Sequence, residues 1–235
     1  MTILSAAQSA GIRLQGQKPG SLFSPSGLNV GFANELADLA TEIGVDIMKA
    51  HDWRALTNLC TITGDGTKIG FDLPTDYDRM ILKEGVHSAT WTQWRFEPAL
   101  DLDQWLDIQT YAGTGFPGWW IILGGQFQIS QGNGVPLAAG TSARFYYISK
   151  NIVNSNSAKF AADGDEFFLG DRLITLGLIW RWRAQKRQEY GEDLKNYEIA
   201  LAQEIARDKG SRVLTTGRAR MRGNIGMSYP GQLGS

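Results

Sequence analysis

The chain has 235 residues, of which 43% are hydrophobic and 11% aromatic, enough to bury the core of one large domain or two small ones. Its 23 lysines and arginines nearly balance 24 acidic residues, which excludes a generally cationic nucleic-acid binder. The single cysteine, Cys60, excludes an internal disulfide and a cysteine-rich zinc site and favours a reducing cytoplasm. There is neither an apolar run near the roughly 20 residues of a bilayer span nor a signal-peptide pattern, so we expect no membrane insertion or export by that route.

Two helices are predicted in the first 50 residues, separated by the loop sequence QGQKPGSLFSPSG. Thr2 can cap the first helix, and Gly11 leaves its end open. One face of the first helix is formed by Ile3, Ala7, Ala10 and Leu14. The apolar stripe of the second, at spacings of four and three, is formed by Leu28, Phe32, Leu36, Leu39, Ile43, Ile47 and Ala50.

From Thr57 the apolar period changes to two, which indicates strands. LCTIT and KIGFDLP flank GDG and predict a hairpin in which Ile69, Phe71 and Leu73 point inward. WWIIL and QFQIS flank two glycines and predict a second hairpin, while DRMILKEGVHSATW and SARFYYIS each predict a further strand. The sequence therefore predicts a small β-rich domain over 57–155.

Two further helices are predicted after the first strands. ALDLDQWLDIQTY begins with Asp101 as a cap and Gln104 reaching back to it, a variant of the capping box. A long helical segment starts at Asp171, its expected cap, and Gly191 predicts a kink or break near Tyr190 because glycine costs about 1 kcal/mol relative to alanine. The fold class is therefore α+β: a helical bundle built from both chain ends with an inserted antiparallel β-rich domain.

Catalytic signatures are weak throughout the chain. His51 and His87 have no cysteine or histidine at ligand spacing, so a surface or capping role is favoured over a metal or general-base role. The sequence contains neither G-x-S-x-G nor a phosphate-binding loop, and GDGTK is interpreted as a hairpin turn. No catalytic residue, cofactor or metal site is predicted.

Two acidic clusters are candidates for divalent cations. Asp101, Asp103 and Asp107 form the first, but Asp101 is already explained as a helix cap. The second, DGDE over 163–166, lacks the twelve-residue spacing of a calcium loop that ends in a bidentate glutamate. Both clusters are interpreted as solvated surface.

Aromatic residues offer two other readings. A sugar-stacking platform on the β-rich domain could be formed by Trp91, Trp94, Trp105, Trp119 and Trp120. Adjacent residues of a strand point to opposite faces, so at most one ring of the Trp119–Trp120 pair is available for stacking.

IWRWRAQKRQ interleaves aromatics with cations, as single-stranded nucleic-acid binders do. Its two tryptophans lie about 200° apart on a helix, however, which favours a buried amphipathic helix whose arginines reach solvent.

Five stretches of the chain form an ordered set. They are LADLATEIGVDIMKAHDWRALTNLCTITGDG, FDLPTDYDRMI, ALDLDQWLDIQ, ISKNIV and DRLITLGLIWRWRAQKRQEYGEDLKNYEIALAQEIARDKGSR. Together they resemble the head-to-tail adaptor proteins of tailed bacteriophages, which include the tail tubular protein A type of short-tailed phages and the adaptors beneath the portal of gene-transfer agents. The resemblance covers most of residues 28–212.

The resemblance implies a structural protein of the virion neck or tail, assembled in the host bacterial cytoplasm, that is not an enzyme and needs no cofactor. Copies of such proteins form a ring of twelve under the portal and link the capsid to the tail. The implied partners are other copies, the portal, downstream tail, nozzle or stopper proteins, and double-stranded DNA that passes through the lumen without specific binding; no membrane is involved. The net charge of −5 over 1–210 suits such a lumen.

The resemblance also implies a division of the chain into four parts. Residues 1–56 and 166–210 form the helical bundle, 57–165 the β-rich domain of sandwich or barrel type, and 211–235 an extended portal-binding tail.

The tail contains four arginines, no acid and no apolar period, so it cannot fold alone. The predicted portal-binding residues are Arg212, Val213, Leu214, Arg218, Arg220, Arg222, Ile225, Met227 and Tyr229. Alternation puts Arg218, Arg220 and Arg222 on one side of an extended strand, where they can grip carboxylates. The alternatives are a nucleic-acid-binding module that uses this basic tail and a carbohydrate-binding tail module that uses exposed tryptophans.

Overall fold

The structure, a computed structural model, describes residues 2–26, 29–81, 85–89, 95–110, 113 and 118–208. Within them the α-helices are α1 (Ile3–Gln15), α2 (Val30–Ala50), α3 (Leu102–Thr110), α4 (Asp171–Gln185) and α5 (Gly191–Asp208), with a 3-10 helix at Arg54–Leu56. The strands are β1 (Thr57–Thr63), β2 (Gly70–Asp72), β3 (Tyr77–Met80), β4 (Val86–Ser88), β5 (Arg95–Pro98), β6 (Trp119–Leu123), β7 (Gln126–Ser130) and β8 (Ser142–Ser149). The predicted α+β class is confirmed.

The described residues form two compact units. The first, called the helical unit, takes the described residues of 2–58, 75–80 and 147–208. The second, called the sheet unit, takes those of 59–74 and 81–146. The four-part domain division stays a prediction.

Helix α4 is the centre of the helical unit, where it contacts α1, α2 and α5. Its buried side chains are Leu173, Ile174, Leu178, Ile179 and Trp182. A Cβ added at Gly177 would lie 2.5 Å from Ile43 Cγ2, so the absence of a side chain at Gly177 allows α4 to approach α2 closely. Burial on several sides agrees with the apolar character that the sequence gives to the start of this helix.

The ends of the first helices follow the sequence closely. The Thr2 hydroxyl accepts a hydrogen bond from the Ser5 amide at 3.4 Å, which confirms the predicted cap of α1. The helix continues through Gly11 and ends at Gly16, whose φ of 69° is a conformation that glycine adopts without strain. Helix α2 buries its predicted stripe from Phe32 to Ile47, but Ala50 is exposed, and Leu28 lies outside the described residues.

The predicted long C-terminal helix is interrupted where glycine indicated. Helix α4 ends at Gln185 and α5 begins at Gly191, which confirms the break near Tyr190. The prediction that Asp171 caps α4 is wrong, because the cap position is Gly170, with a φ of 101°, and Asp171 is the first helical residue.

The strands form a mixed, nearly closed sheet with the order β1-β8-β4-β5-β6-β7-β2. Strand β3 pairs separately with the Tyr147–Ser149 end of β8, inside the helical unit. The pairs β4–β5, β6–β7 and β2–β7 are antiparallel, whereas β5 and β6 run parallel, with α3 in the connection between them. A purely antiparallel domain is therefore a wrong prediction, since a helical crossover returns the chain in the same direction.

One of the two predicted hairpins is confirmed. Strands β6 and β7 pair from Leu123 opposite Gln126, across Gly124 and Gly125 with φ of 61° and 76°. The GDG hairpin is wrong, because β1 neighbours β8 while β2 pairs with β7. Gly64 donates its amide to the Thr141 carbonyl at 2.8 Å, so the backbone around GDG is bonded to a distant segment.

The segment DRMILKEGVHSATW contains two strands instead of one. Strands β3 and β4 both pair with β8, at different ends of that strand. The predicted strand SARFYYIS is confirmed as β8.

Aromatic side chains fill the core of the sheet unit. The rings of Phe127 and Phe145 stack at 4.8 Å, and Trp120 stacks on Phe127 at 5.5 Å. Helix α3 buries Trp105, whose indole donates to Gln128 Oε1 at 3.2 Å, and Ile108. Capping of α3 is confirmed: Asp101 Oδ1 accepts from the Gln104 amide at 2.7 Å. Gln104 in turn accepts from the amide of Leu100, one residue earlier than the sequence pattern indicated.

Candidate functional site

Arg79 binds the carboxyl end of α2. Its guanidinium donates to the backbone carbonyls of His51 at 2.9 Å and Met48 at 3.2 Å, and to the carboxylates of Asp52 at 3.0 Å and Asp78 at 2.8 Å. The last carbonyls of a helix lack partners within the helix and lie at the negative end of its dipole. Arg79 therefore holds β3 to the end of α2. Sequence reasoning missed this role, because no local pattern links residues about thirty positions apart.

Asp76 belongs to the same segment, FDLPTDYDRMI, and binds three partners. Its carboxylate accepts from the Tyr147 hydroxyl at 2.9 Å and from Asn58 Nδ2 at 3.2 Å, and its carbonyl accepts from the Lys150 amide at 2.8 Å. Burial opposes ionisation, but hydrogen bonds from Ser149, Tyr147 and Asn58 outweigh it and lower the pKa of Asp76. This stretch, one of those that carry the phage resemblance, thus stabilises the helical unit.

His51 lies at the C-cap of α2, which agrees with the capping role favoured from the sequence. Its Nε2 lies 3.2 Å from Asp208 Oδ2 at the end of α5, and its ring meets Trp53 edge to face at 5.1 Å. The Trp53 indole donates to the Ile47 carbonyl at 2.7 Å. His87 is exposed on β4. Within the described part of the chain, no three His, Cys, Asp or Glu side chains cluster as metal ligands would.

Three of the four cations of IWRWRAQKRQ bind acids of neighbouring helices. Arg181 pairs with Asp46 and, at 2.5 Å, with Glu42, both on α2. Lys186 Nζ lies 2.7 Å from Glu35, which also accepts from the Trp182 indole at 3.0 Å. Arg183 pairs with Asp193 of α5. These pairs neutralise three cations that a nucleic-acid surface would need free, as expected for an amphipathic helix in a protein core. We call the contacts of Arg181, Trp182 and Lys186 with α2 the α2–α4 seam.

The acidic segment DGDE contains a turn, and its interpretation as solvated surface is wrong for Asp165, whereas Gly164 and Glu166 are exposed. Asp165 is buried, and its carboxylate accepts from the amides of Ala161 at 2.7 Å and Ala162 at 2.9 Å. Asp163 accepts from the Leu22 amide at 2.7 Å and so fixes the loop after α1. Backbone amides thus occupy the oxygen atoms that a cation would need. In contrast, Asp101, Asp103 and Asp107 are exposed, as the sequence indicated.

The described tryptophans of the proposed sugar platform are largely in the core. Trp105 and Trp120 are buried, and Trp119 is partly exposed, which confirms that adjacent rings of β6 differ in burial. Trp91 and Trp94 lie outside the described residues. Two of the three described rings are therefore unavailable for stacking on a sugar.

Helix α3 and the segment just before it expose three leucines that the sequence analysis did not single out. The exposed fractions are 85% for Leu100, 58% for Leu102 and 64% for Leu106. We call these three residues the α3 leucine face. Asp103 and Asp107 are exposed on the same helix. The sequence did contain a signal for this face, because the apolar residues of the predicted helix are not confined to the side that Trp105 and Ile108 occupy.

A cleft of about 440 Å³ opens beside the last turns of α5, inside the helical unit. We call it the α5 cleft. It is lined by Trp53, Ala55, Phe168, Leu169, Gly170, Glu204, Arg207 and Asp208. Phe168 is 44% exposed although it is a large aromatic residue, so apolar surface is accessible there. Sequence reasoning missed this cleft because its walls come from three distant segments.

All nine predicted portal-binding residues, from Arg212 to Tyr229, lie outside the described residues, which end at Asp208. The α5 cleft therefore lies at the point where the described chain stops. No helix of the described part is long and apolar enough to span a membrane.

Comparison with known protein families gives a match over most of the chain. The family model described as SU10 adaptor protein matches residues 1–225, almost the whole chain. No curated protein matches the chain. The expected identity as a phage adaptor is thereby confirmed at the level of the family, whereas likeness to the tail tubular protein A type is not. The chain belongs to the SU10 adaptor protein family, a family of phage head-to-tail adaptors.

Proposed function

We propose that this protein is a subunit of a ring of twelve that docks under the phage portal and links the capsid to the tail. The family match carries the proposal. The match reaches residue 225 and so continues beyond Asp208 into the arginine-rich tail. Because the family model includes part of this tail, the match supports a role for the tail in the function that the family members share.

In this proposal the parts of the chain have separate tasks. The helices form a bundle, the sheet forms a sandwich- or barrel-like domain, and residues 211–235 extend as an arm into the portal. The nine portal-binding residues predicted from the sequence supply apolar anchors and guanidinium groups. Arginine suits this role because its planar group binds carboxylates through two parallel hydrogen bonds.

Ring formation needs surfaces that contact neighbouring copies. The α3 leucine face supplies one such surface, because its three leucines are more than half exposed. Groups of large exposed apolar side chains are typical of protein interaction sites. We assign this face to the contact with the next copy in the ring.

The proposed subunit catalyses no reaction and uses no cofactor. The ring surrounds the channel through which double-stranded DNA leaves, without specific binding, and its lower side receives tail, nozzle or stopper proteins. Pairing of the α4 cations with acids of α2 and α5 supports weak interaction with DNA, since phosphate contacts need unpaired cations. The mature location is the virion neck, after assembly in the host cytoplasm without a membrane.

The two alternative functions have less support from the described structure. A nucleic-acid-binding module has less cationic surface available once Arg181, Arg183 and Lys186 are paired with acids, and it depends mainly on the basic tail. A carbohydrate-binding module loses Trp105 and Trp120 to the core.

The decisive experiment mixes the purified protein with its portal and images the product by electron microscopy. We expect an added layer of twelve subunits on the portal. Truncation after Lys209 should leave a folded monomer that no longer docks, whereas truncation after Tyr229 retains every predicted anchor and should dock normally. A portal without an added layer would overturn the proposal, and undiminished docking of the Lys209 truncation would refute the role of the arm.

The same experiment tests the α3 leucine face. Leu106→Asp places a charge on a side chain that is 64% exposed, so the monomer should stay folded. We expect incomplete rings on the portal, because the charge would be buried against the next copy. Complete rings with this variant would exclude α3 from the subunit contact.

A further inference from the structure

The α5 cleft is lined by both apolar side chains and carboxylates, which we call its apolar floor and its acidic edge. Of the apolar lining residues, Trp53 and Leu169 are buried and Phe168 is partly exposed. Glu204 and Asp208 bring two carboxylates to the same cleft against one guanidinium. A fitting ligand therefore combines medium-sized apolar groups with a positive charge.

The edge of the cleft is well ordered by hydrogen bonds. Asp208 Oδ2 accepts from the Arg54 amide at 3.3 Å and lies 3.2 Å from His51 Nε2. Glu204 pairs with Arg207 at 2.7 Å, but the Arg207 side chain is 77% exposed and can be replaced by another cation at little cost. The cleft thus has one fixed acid and one acid whose partner is easily exchanged.

The chain itself supplies a segment of matching chemistry at the required place. From Asp208, which lines the cleft, the sequence continues as Lys-Gly-Ser and then Arg212, Val213 and Leu214. An extended chain advances about 3.3 Å per residue, so these residues begin within roughly 13 Å of Asp208. Gly210 makes a reversal of the chain direction easy. Valine and leucine match the apolar floor, and the arginine matches the acidic edge.

We propose that the α5 cleft is a docking site for Arg212–Leu214 of the same chain, which holds the base of the arm against the helical unit before the arm meets the portal. The site deepens the proposed function, because it regulates when the predicted anchors become available. Direct continuity with Asp208 favours the chain's own segment over that of a second copy, since a short tether raises the effective concentration into the millimolar range.

Limited trypsin digestion of the unmodified full chain tests the docking without any portal. Docked residues resist cleavage, so the bond after Arg212 should be cut at least about tenfold more slowly than the bonds after Arg218, Arg220 and Arg222. Val213→Ser with Leu214→Ser keeps the tether and the cleavage sites and should abolish the difference. Equal rates in the unmodified chain would overturn the proposal.

Cross-linking identifies which chain occupies the cleft. Ala55→Cys lies in the cleft, and Thr215→Cys follows the docked residues without replacing them; Cys60→Ala removes the native thiol. Oxidation should give a cross-linked monomer, at a rate that falls about tenfold or more when Val213 and Leu214 are serine. Cross-linked dimers alone would assign the cleft to a second copy and overturn the proposal. Unchanged rates in the serine variant would show that the tether alone brings the cysteines together.

These assays fail independently of the proposed function. Loss of docking to the portal with normal protection of Arg212 would contradict the adaptor role and leave the cleft proposal intact. Normal docking to the portal without protection of Arg212 would contradict the cleft proposal and leave the adaptor role intact.

Discussion

Helix α4 of the helical unit and helix α3 of the sheet unit both carry tryptophan and leucine, but they use these side chains differently. In α4, Leu173, Leu178 and Trp182 are buried among α1, α2 and α5. In α3 only Trp105 and Ile108 are buried, while Leu102 and Leu106 are more than half exposed. The apolar surface of α4 therefore stabilises the fold, whereas part of that of α3 remains available to another protein.

The charged residues of the two helices differ in the same way. Arg181 and Arg183 of α4, with Lys186 at its C-cap, bind carboxylates of α2 and α5. In α3, Asp103 and Asp107 are exposed beside the α3 leucine face. Both helices lie within the residues that match the family, so likeness to a family does not by itself separate residues that serve folding from residues that serve assembly.

A matched pair of leucine truncations gives the largest expected difference between the helices. Leu178→Ala removes a fully buried side chain from α4 and should lower the free energy of unfolding by about 2–5 kcal/mol. Leu106→Ala removes an exposed side chain from α3 and should change it by less than about 0.5 kcal/mol. Urea unfolding of both variants measures the difference. Similar losses of unfolding free energy at the two positions would contradict the conclusion that the leucines of α4 stabilise the fold while those of α3 do not.

A polar contact of the helical unit gives the next largest effect. Arg79→Ala removes the guanidinium that binds the Met48 and His51 carbonyls, of which His51 keeps only the Trp53 amide as a donor, and should cost about 1.5–3 kcal/mol, the usual range for hydrogen bonds to charged groups. Arg13→Ala, in the exposed last turn of α1, is the matched control and should have little effect. Thermal unfolding distinguishes the two. If both variants melt together, the contact of Arg79 with α2 contributes no net stability.

Local signals in the sequence predicted the elements whose cause is itself local. The period of Phe32 to Ile47 identified α2, and the two glycines after Leu123 identified the hairpin of β6 and β7. Gly191 marked the break between α4 and α5, although the cap of α4 was placed one residue too late. In each case a few neighbouring residues fix the backbone conformation, so a short window of sequence contains the necessary information.

Features that depend on distant partners were not predictable in this way. The sequence predicted strands on both sides of GDG, but these strands pair with β8 and β7 instead of with each other, and long-range hydrogen bonds such as Gly64 to Thr141 accompany this pairing. Arg79 and the α5 cleft were missed for the same reason. The α3 leucine face was missed because an apolar residue in a helical pattern is normally assigned to the core, and only the packing of α3 shows that Leu106 is outside it.

The smallest predicted effect concerns pH and the α2–α4 seam. The hydrogen bond from Lys186 lowers the pKa of Glu35 below its usual value of 4.5, outweighing partial burial, and Trp182 adds to the effect. The folded state therefore binds this proton less readily than the unfolded state. The stabilisation is fully present above about pH 4.5 and is lost as the pH falls through the folded-state pKa.

Glu35→Gln removes this titration and should lower the free energy of unfolding at pH 7 by no more than about 1 kcal/mol, because both partners are about one-third exposed. The difference between wild type and variant should shrink as the pH falls below about 4.5, and it should also shrink in concentrated salt. Lys186→Gln removes the other partner and should reduce the same pH dependence. Urea unfolding between pH 7 and pH 3 measures all three proteins. A difference that stays constant over this range would show that the Glu35–Lys186 pair does not stabilise the seam through charge, and the contrast between α4 and α3 would then rest on apolar burial alone.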